Sequence, residues 1–273
     1  MLVRLGNAIG DRFGRSSPGV RLLSPLYTRW LHAAYGRRGV PWSVNGEPLR
    51  IDPSVRHLVP RENERPLFDF LRSHIRPGDV LLDIGAFLGT YAVMTARWAG
   101  EWGRVIAFEP CPATFAVLKR HLAMNGLGSG RVEARCVAVG SRPERRRLIT
   151  FPAEPYRNLL APADAATVTS VAVDVVTVDH VCSRLARPPN WIRMDVQGLE
   201  FEVLAGLRRT LQAAEGRLHI VAEVHPDQWP EYGVPVDRAA DRFAELGFRV
   251  RPLESDRPLF EQGAHVILEP IGR

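Results

Sequence analysis

Acids and glycines gather at the ends of short apolar runs in this sequence. Asp83 closes "VLLD" and leads into "DIGAFLG", which places Gly85 and Gly89 in one turn. Glu109 closes "RVIAFE". Asp195 closes "WIRMD", with Gln197, Gly198 and Glu200 just behind it. Glu223 and His225 close "LHIVAEVH". Each residue type has a use in binding or catalysis. Glycine takes positive φ without strain and lets a ligand approach the backbone. A helix that starts after such a turn offers unpaired N–H groups. A carboxylate at the end of a second strand can accept the hydroxyls of a ribose. Asp83 would repel a pyrophosphate and suits a cationic ligand.

A ligand with a ribose and a positive charge matches that pattern, and S-adenosylmethionine has a ribose, an ammonium and a sulfonium. The rival is a nicotinamide dinucleotide. Against it, "DIGAFLG" lacks the G-x-G-x-x-G spacing, and Asp83 is badly placed for a diphosphate.

Such residues must be held by a regular frame, and the chain supplies one from about residue 66. "DVLLDIG", "RVIAFEP", "RVEARCVAVG", "WIRMDV" and "LHIVAEV" read as core strands. "GTYAVMTARWA", "PATFAVLKRHLAMNG" and "LEFEVLAGLRRTLQAA" read as helices between them. "FRVRPLE" and "AHVILEP" add two strands near the end. Alternating strands and helices predict an α/β fold, a Rossmann-like doubly wound and mostly parallel sheet with helices on both faces. Its ligands lie at the carboxyl ends of the central strands.

Residues 1–65 are expected to form a separate helical and hairpin extension, with the main domain over 66–273. "RLLSPLYTRWLHAAYGRR" (21–38) has helix-like apolar spacing ringed by arginines. It is either a basic amphipathic helix for a membrane surface or a helix that packs on the domain or across a homodimer, and the second is favoured. "VNGEPLRID" reads as a hairpin turning at Asn45–Gly46.

Composition narrows the class. The 273 residues are 45% hydrophobic, enough for a core, which argues against global disorder. The net charge of +6 comes almost wholly from arginine, Lys119 being the only lysine. Cys111, Cys136 and Cys182 are odd in number and far apart, which argues against a disulfide framework or a zinc site. No apolar run is long enough to span a membrane. "MLVRLGNAIGDRFGR" is a poor signal peptide because charges interrupt it. A cytoplasmic protein is the expectation.

Taken together these stretches resemble class I S-adenosylmethionine-dependent methyltransferases, and most closely the FkbM family. "LLDIGAFLGTYAV" is similar to the first motif of that family, and "VIAFEPCPATFAVLKRHLAMNG" to the second. "VTVDHV" and "WIRMDVQGLEFEVLAGL" resemble its late signature, and "IVAEVHP" its fifth strand. The resemblance covers about residues 66–270 and implies a seven-stranded sheet. It implies cofactor contacts from Asp83, Gly85, Ala86, Phe87 and Gly89, from Tyr91 (which could equally be helix packing), and from Glu109 and Pro110. It places Cys136, Val137 and Ala138 near the adenine, and Asp195 beside the methyl group or its acceptor. Two positions depart from the family pattern: Phe87 stands where asparagine is usual, and Gln197 where glutamate is usual.

Methyl transfer needs an acceptor aligned behind the leaving sulfur and, for a hydroxyl, a base. Asp195, Glu223 and His225 are the candidate catalytic residues, with Asp195 orienting the acceptor and His225 or Asp195 taking its proton. Their residue types could also hold a metal, but none is expected. Asp195 has a second reading as a helix cap, and Glu200 as an ordinary helix charge. Trp229 and Tyr232 line the acceptor pocket or anchor a loop. The expected partner is a small-molecule acceptor, a sugar or specialised-metabolite hydroxyl, with acceptor information in the loop 152–168. An RNA methyltransferase and a non-catalytic cofactor-binding module are the alternatives, and nucleic acid is not an expected partner.

Overall fold

The computed structural model describes residues 18–151, 158–161, 170–214 and 216–271. The start, residues 1–17, and most of the loop 152–168 lie outside the described residues. The chain divides into two compact units, Met1–Arg61 and Glu62–Arg273.

In the smaller unit a helix, Pro18–Tyr35, precedes a hairpin of β1 (Val40–Val44) and β2 (Glu47–Ile51). The turn falls on Asn45 (φ 49°) and Gly46 (φ 86°). Two positive φ values in succession suit a two-residue hairpin, and Asn-Gly is the pair that tolerates them best. Val40, Trp42 and Val44 are buried on one face, and the Trp42 indole N–H donates to the Val59 carbonyl at 3.1 Å.

The larger unit contains β3 (Val80–Ile84), β4 (Arg104–Phe108), β5 (Val132–Arg135), β6 (Ala138–Val139), β7 (Glu144–Ile149), β8 (Leu159–Leu160), β9 (Ser170–Val176), β10 (Trp191–Met194), β11 (His219–Val224), β12 (Phe248–Pro252) and β13 (Ala264–Pro270). Seven of these form one sheet in the order β12-β13-β11-β10-β3-β4-β5. The pairs from β11 through β5 are parallel, whereas β13 runs antiparallel to both β11 and β12. Every residue of β3 and β10 is buried, as expected where helices cover both faces. Ile84, Phe108, Ile192, Met194, Ile220 and Val224 join Trp229, Phe243 and Phe248 in the main core. Each such side chain contributes roughly 1.5–3 kcal/mol through burial.

The sheet grows from β3 to β4 and β5 on one side, then returns to place β10 on the other. The crevice outside the carboxyl ends of β3 and β10 is therefore the switch point where such sheets bind ligands. Asn190 pins the opposite ends of these two strands. Its side-chain oxygen accepts from the Val80 N–H at 2.9 Å, and its own N–H donates to the Val80 carbonyl at 2.8 Å.

Two expected elements are divided. The single strand read over "RVEARCVAVG" becomes β5 and β6, and β6 joins a second sheet, β6-β9-β7-β8. The ladder with β4 ends at Phe108–Arg135 and the Glu109 N–H, because the next donor on that edge, the Cys111 N–H, turns back to Glu109 Oε1. The single helix read over "LEFEVLAGLRRTLQAA" becomes Glu200–Ala205 and Arg208–Ala213. Gly206 is pressed onto the Gly140 carbonyl, where a Cβ would lie 2.2 Å from the oxygen. The Asp179 carboxylate starts the second piece by accepting from the Arg209 and Thr210 N–H groups at 3.1 and 2.7 Å.

Candidate active site

The turn after β3 is held from both sides. The N–H groups of Gly85 and Ala86 both donate to the Phe108 carbonyl at 2.9 Å. Gly85 has φ 80°, and a Cβ on it would lie 1.8 Å from the Asp195 carbonyl oxygen. Glycine is thus required here by conformation and by space. Gly89, at φ 81°, precedes the helix Thr90–Trp98. Phe87 stands between them in the left-handed region at φ 48°, without a glycine's freedom.

Glu109 ties this turn to the next. Its Oε2 accepts from the Phe87 N–H at 2.9 Å, and its Oε1 accepts from the Cys111 N–H at 2.9 Å and the Thr114 hydroxyl at 2.7 Å. Burial pushes the carboxyl up to about 7, with the three donors pulling the other way. Oε1 is saturated, and Oε2 keeps one acceptor site for a ligand. The Cys136 thiol lies 3.7 Å from the Pro110 carbonyl, so the ends of β4 and β5 meet there, with half-buried Val137 and buried Ala138 next in the chain.

Asp83 and Asp195 face a residue that the sequence reading passed over. Arg193 is buried in the middle of β10, and its guanidinium reaches Asp83 Oδ1 at 3.4 Å, Asp195 Oδ2 at 3.2 Å and the Gly85 carbonyl at 3.0 Å. It also lies over the Tyr91 ring, 5.0 Å from the centroid. Tyr91 therefore packs on the arginine from the helix Thr90–Trp98. An arginine inside an apolar strand was the available signal, since a buried charge must be paired. Burial raises the Asp83 carboxyl despite Arg193, and Asp83 Oδ2 is buried with no hydrogen-bond partner among the described residues. Burial also opposes ionisation of Asp195, but Arg193 and His225 outweigh it and hold that carboxyl below its usual value.

A relay runs from Asp195 into the core. The Gln197 amide nitrogen lies 3.1 Å from Asp195 Oδ1 and 2.8 Å from His225 Nε2. His225 Nδ1 lies 2.9 Å from Glu200 Oε1, and the Trp229 indole N–H donates to Glu200 Oε2 at 2.7 Å. Glu200 is fully buried, so it is not an ordinary surface charge, and its Oε1 also accepts from the Gly198 N–H at 3.3 Å. Burial disfavours the imidazolium, yet Glu200, Asp195 and Glu223 together push His225 up to about 9. The Glu223 carboxyl is pushed up to about 8 by burial and then by Asp195. Gln197 has φ 53°, in the left-handed region, followed by Gly198 at φ 96°. Asp195 does not cap the next helix, whose N-terminal position is Leu199. Trp229 is buried, and the Tyr232 hydroxyl donates to the Leu160 carbonyl at 2.9 Å, so both act as anchors.

The crevice thus offers a buried acceptor at Asp83 Oδ2, an acceptor site on Glu109 Oε2, and backbone at Gly85 that no other residue could form. These fit a ligand with an ammonium and a ribose. Asp195, with 21% of its side chain exposed, and Glu223, with 19%, are the site's partly exposed acids. The structure brings Asp83, Gly85, Ala86, Phe87, Tyr91, Glu109 and Asp195 to this crevice, with Glu223 and His225 beside Asp195. Among the described residues, no helix is long and apolar enough to cross a membrane.

Comparison with known proteins follows the same residues. The profile of the methyltransferase FkbM domain matches residues 83–250. Methyltransferase sdnD of Sordaria araneosa is 26% identical over 183 residues, which cover 56% of this chain and 68% of that protein. The hexuronic acid methyltransferase AglP of Haloferax volcanii is 27% identical over 163 residues, covering 59% of this chain and 62% of the relative. A crystal structure of methyltransferase FkbM from Methylobacillus flagellatus aligns at a TM-score of 0.46 and 14% identity, over 73% of this chain and 50% of the other. The family match spans most of the chain and takes in both strand-end clusters, so the chain belongs to the FkbM methyltransferase family, and its cofactor is S-adenosylmethionine.

Proposed function

We propose that this domain carries a methyl group from S-adenosylmethionine to a hydroxyl of a sugar or small specialised metabolite. The observation that carries it is the placement of Asp195. It is ionised, partly exposed at the switch point, and oriented on one oxygen by Arg193 and on the other by Gln197. The cofactor supplies an electrophilic methyl group on a sulfonium. Asp83 Oδ2 would hold its ammonium and Glu109 Oε2 a ribose hydroxyl, with the Gly85 turn against the chain between them. Asp195 would accept the hydrogen bond of the incoming hydroxyl, align its oxygen and receive its proton as the methyl passes from sulfur to oxygen and S-adenosylhomocysteine leaves. Both nitrogens of His225 are engaged and its side chain is only 3% exposed, so it positions Asp195 through Gln197 instead of meeting the acceptor. The hexuronic acid named for the Haloferax relative supports a sugar as the acceptor class.

The test begins with calorimetric titration of S-adenosylhomocysteine, with NAD alongside. Micromolar binding that weakens at least about a hundredfold in Glu109→Ala, with none for NAD, is the expected result. Binding of NAD in place of the homocysteine ligand would overturn the proposal. Turnover is then sought on a panel of sugars and hydroxylated metabolites, and methyl recovered only on nitrogen or carbon would refute the hydroxyl acceptor.

A further inference from the structure

A second polar group lies beside the relay and is left unsatisfied by the protein. His265 stands in β13 directly opposite Glu223 in β11. Its Nε2 is 3.9 Å from Glu223 Oε2 and 4.0 Å from Oε2 of Glu64, the residue before the helix Arg65–His74. Neither separation is a hydrogen bond. His265 is 6% exposed, and its Nε2 and the Glu64 Oε2 are buried atoms without a hydrogen-bond partner among the described residues. Buried polar atoms are seldom left so, and each costs about 1–3 kcal/mol unless a ligand or water meets it.

The neighbouring group of Asp195, Glu223 and His225 also has metal-ligand types within reach of one another. Two of its members are already partnered. Glu200 and Gln197 approach the two nitrogens of His225, while Arg193 and Gln197 approach the two oxygens of Asp195. Glu223, common to both groups, has His225 Nε2 at 3.7 Å from its Oε1, and its Oε2 turns to His265. Arg193 serves Asp83 and Asp195, whereas no arginine or lysine forms an ion pair with Glu64 or Glu223 among the described residues. Two carboxyl groups without a hydrogen bond to these oxygens and one imidazole therefore converge on a common point.

We infer that Glu64, Glu223 and His265 bind a divalent transition-metal cation. Carboxylates suit ions such as Mg2+ and Mn2+, an imidazole suits Fe2+ and Zn2+, and paramagnetic Mn2+ is the probe for the mixed set. Cis ligands about 2.1 Å from an octahedral ion lie about 3 Å apart, so the three ligand atoms, now within 4.8 Å of one another, must draw together by about 1 Å to hold it. The inference stands apart from the methyl-transfer proposal, because binding of the ion requires neither cofactor nor acceptor.

The test is titration of the metal-stripped chain with Mn2+ alone, following free Mn2+ by electron paramagnetic resonance. One site per chain is expected. Its affinity should fall at least about tenfold in Glu64→Gln and in His265→Gln, and stay within about threefold in His225→Gln. Glu64 is partly exposed, so Glu64→Gln keeps the question answerable if the buried His265→Gln fails to fold. Absence of Mn2+ binding overturns the inference. So does binding that Glu64→Gln leaves intact. Loss confined to His225→Gln would move the ion to the rival group and refute the assignment.

Discussion

At the end of β4 the Glu109 carboxylate meets three donors from its own surroundings, whereas at the end of β11 the Glu223 carboxylate has no hydrogen-bond donor among the described residues. Burial raises both groups, to about 7 and about 8. The opposing terms differ. Backbone and hydroxyl donors pull Glu109 back, while Asp195 pushes Glu223 further up. The cofactor side is thus assembled before any ligand arrives, with little left to order on binding. On the acceptor side Asp195 is held by Arg193 and Gln197, while Glu223 makes no hydrogen bond and His265 Nε2 has no partner among the described residues. One half of the crevice is finished by the fold, and the other is completed by what it binds.

The largest test of this contrast is Gly85→Ala, which attacks the finished half. A Cβ 1.8 Å from the Asp195 carbonyl, on a residue at φ 80°, should cost more than about 4 kcal/mol. Scanning calorimetry should show a fall in Tm of about 10 °C or an insoluble protein. A melt within a degree of the parent would mean that the two strand ends are not locked together. Next is Asp195→Asn, on the unfinished half. The prediction is a loss of about a hundredfold in kcat with the Kd of S-adenosylhomocysteine changed by less than about threefold. Equal losses in both would move Asp195 to the cofactor side of the comparison.

A subtler probe is pH. The Glu109 value in the fold lies above its ordinary 4.5. Its contribution to stability is therefore full below about pH 4.5 and is lost as pH rises through about 7. Denaturant melts of the parent minus those of Glu109→Gln should decline over that window and level off above it. A difference that grows with pH would reverse the sign and show that donors outweigh burial. The smallest effect is expected from Phe87→Asn. Asparagine tolerates the left-handed conformation better than phenylalanine, so relief of strain at φ 48° should raise stability by about 1 kcal/mol and Tm by about 2–4 °C. A lower Tm would mean that the Phe87 ring adds more by packing than its backbone loses.

Much of the frame was legible because its signals are local. Apolar runs of strand length, the Asn45–Gly46 turn and the glycine after Asp83 each report on a few residues at a time. Hence β3, β4, β10, β11 and the hairpin fall where periodicity places them. The elements that were divided report on distant contacts. Gly206 interrupts a good helical pattern because Gly140 presses on it, and the chain after Arg135 leaves the main sheet where the Cys111 N–H turns to Glu109 instead of to β5. Trp229 could be read as pocket or anchor until its burial against Phe201, Phe243 and Phe260 decided for the anchor.

The sequence by itself determined that acids stand at the carboxyl ends of parallel strands, and with them the methyltransferase family. A mostly parallel sheet follows from alternation, and a strand's last residues reach the crevice wherever the sheet is doubly wound. Only the tertiary structure decided which acids are paired. Asp83 and Asp195 share Arg193 because β3 and β10 lie side by side, although more than a hundred residues separate them in the chain. His265 reaches Glu223 because β13 runs antiparallel to β11 in one register, and Glu64 joins them from the start of a helix early in the domain. Competition for hydrogen bonds is settled by distance in space, and no local pattern carries that distance.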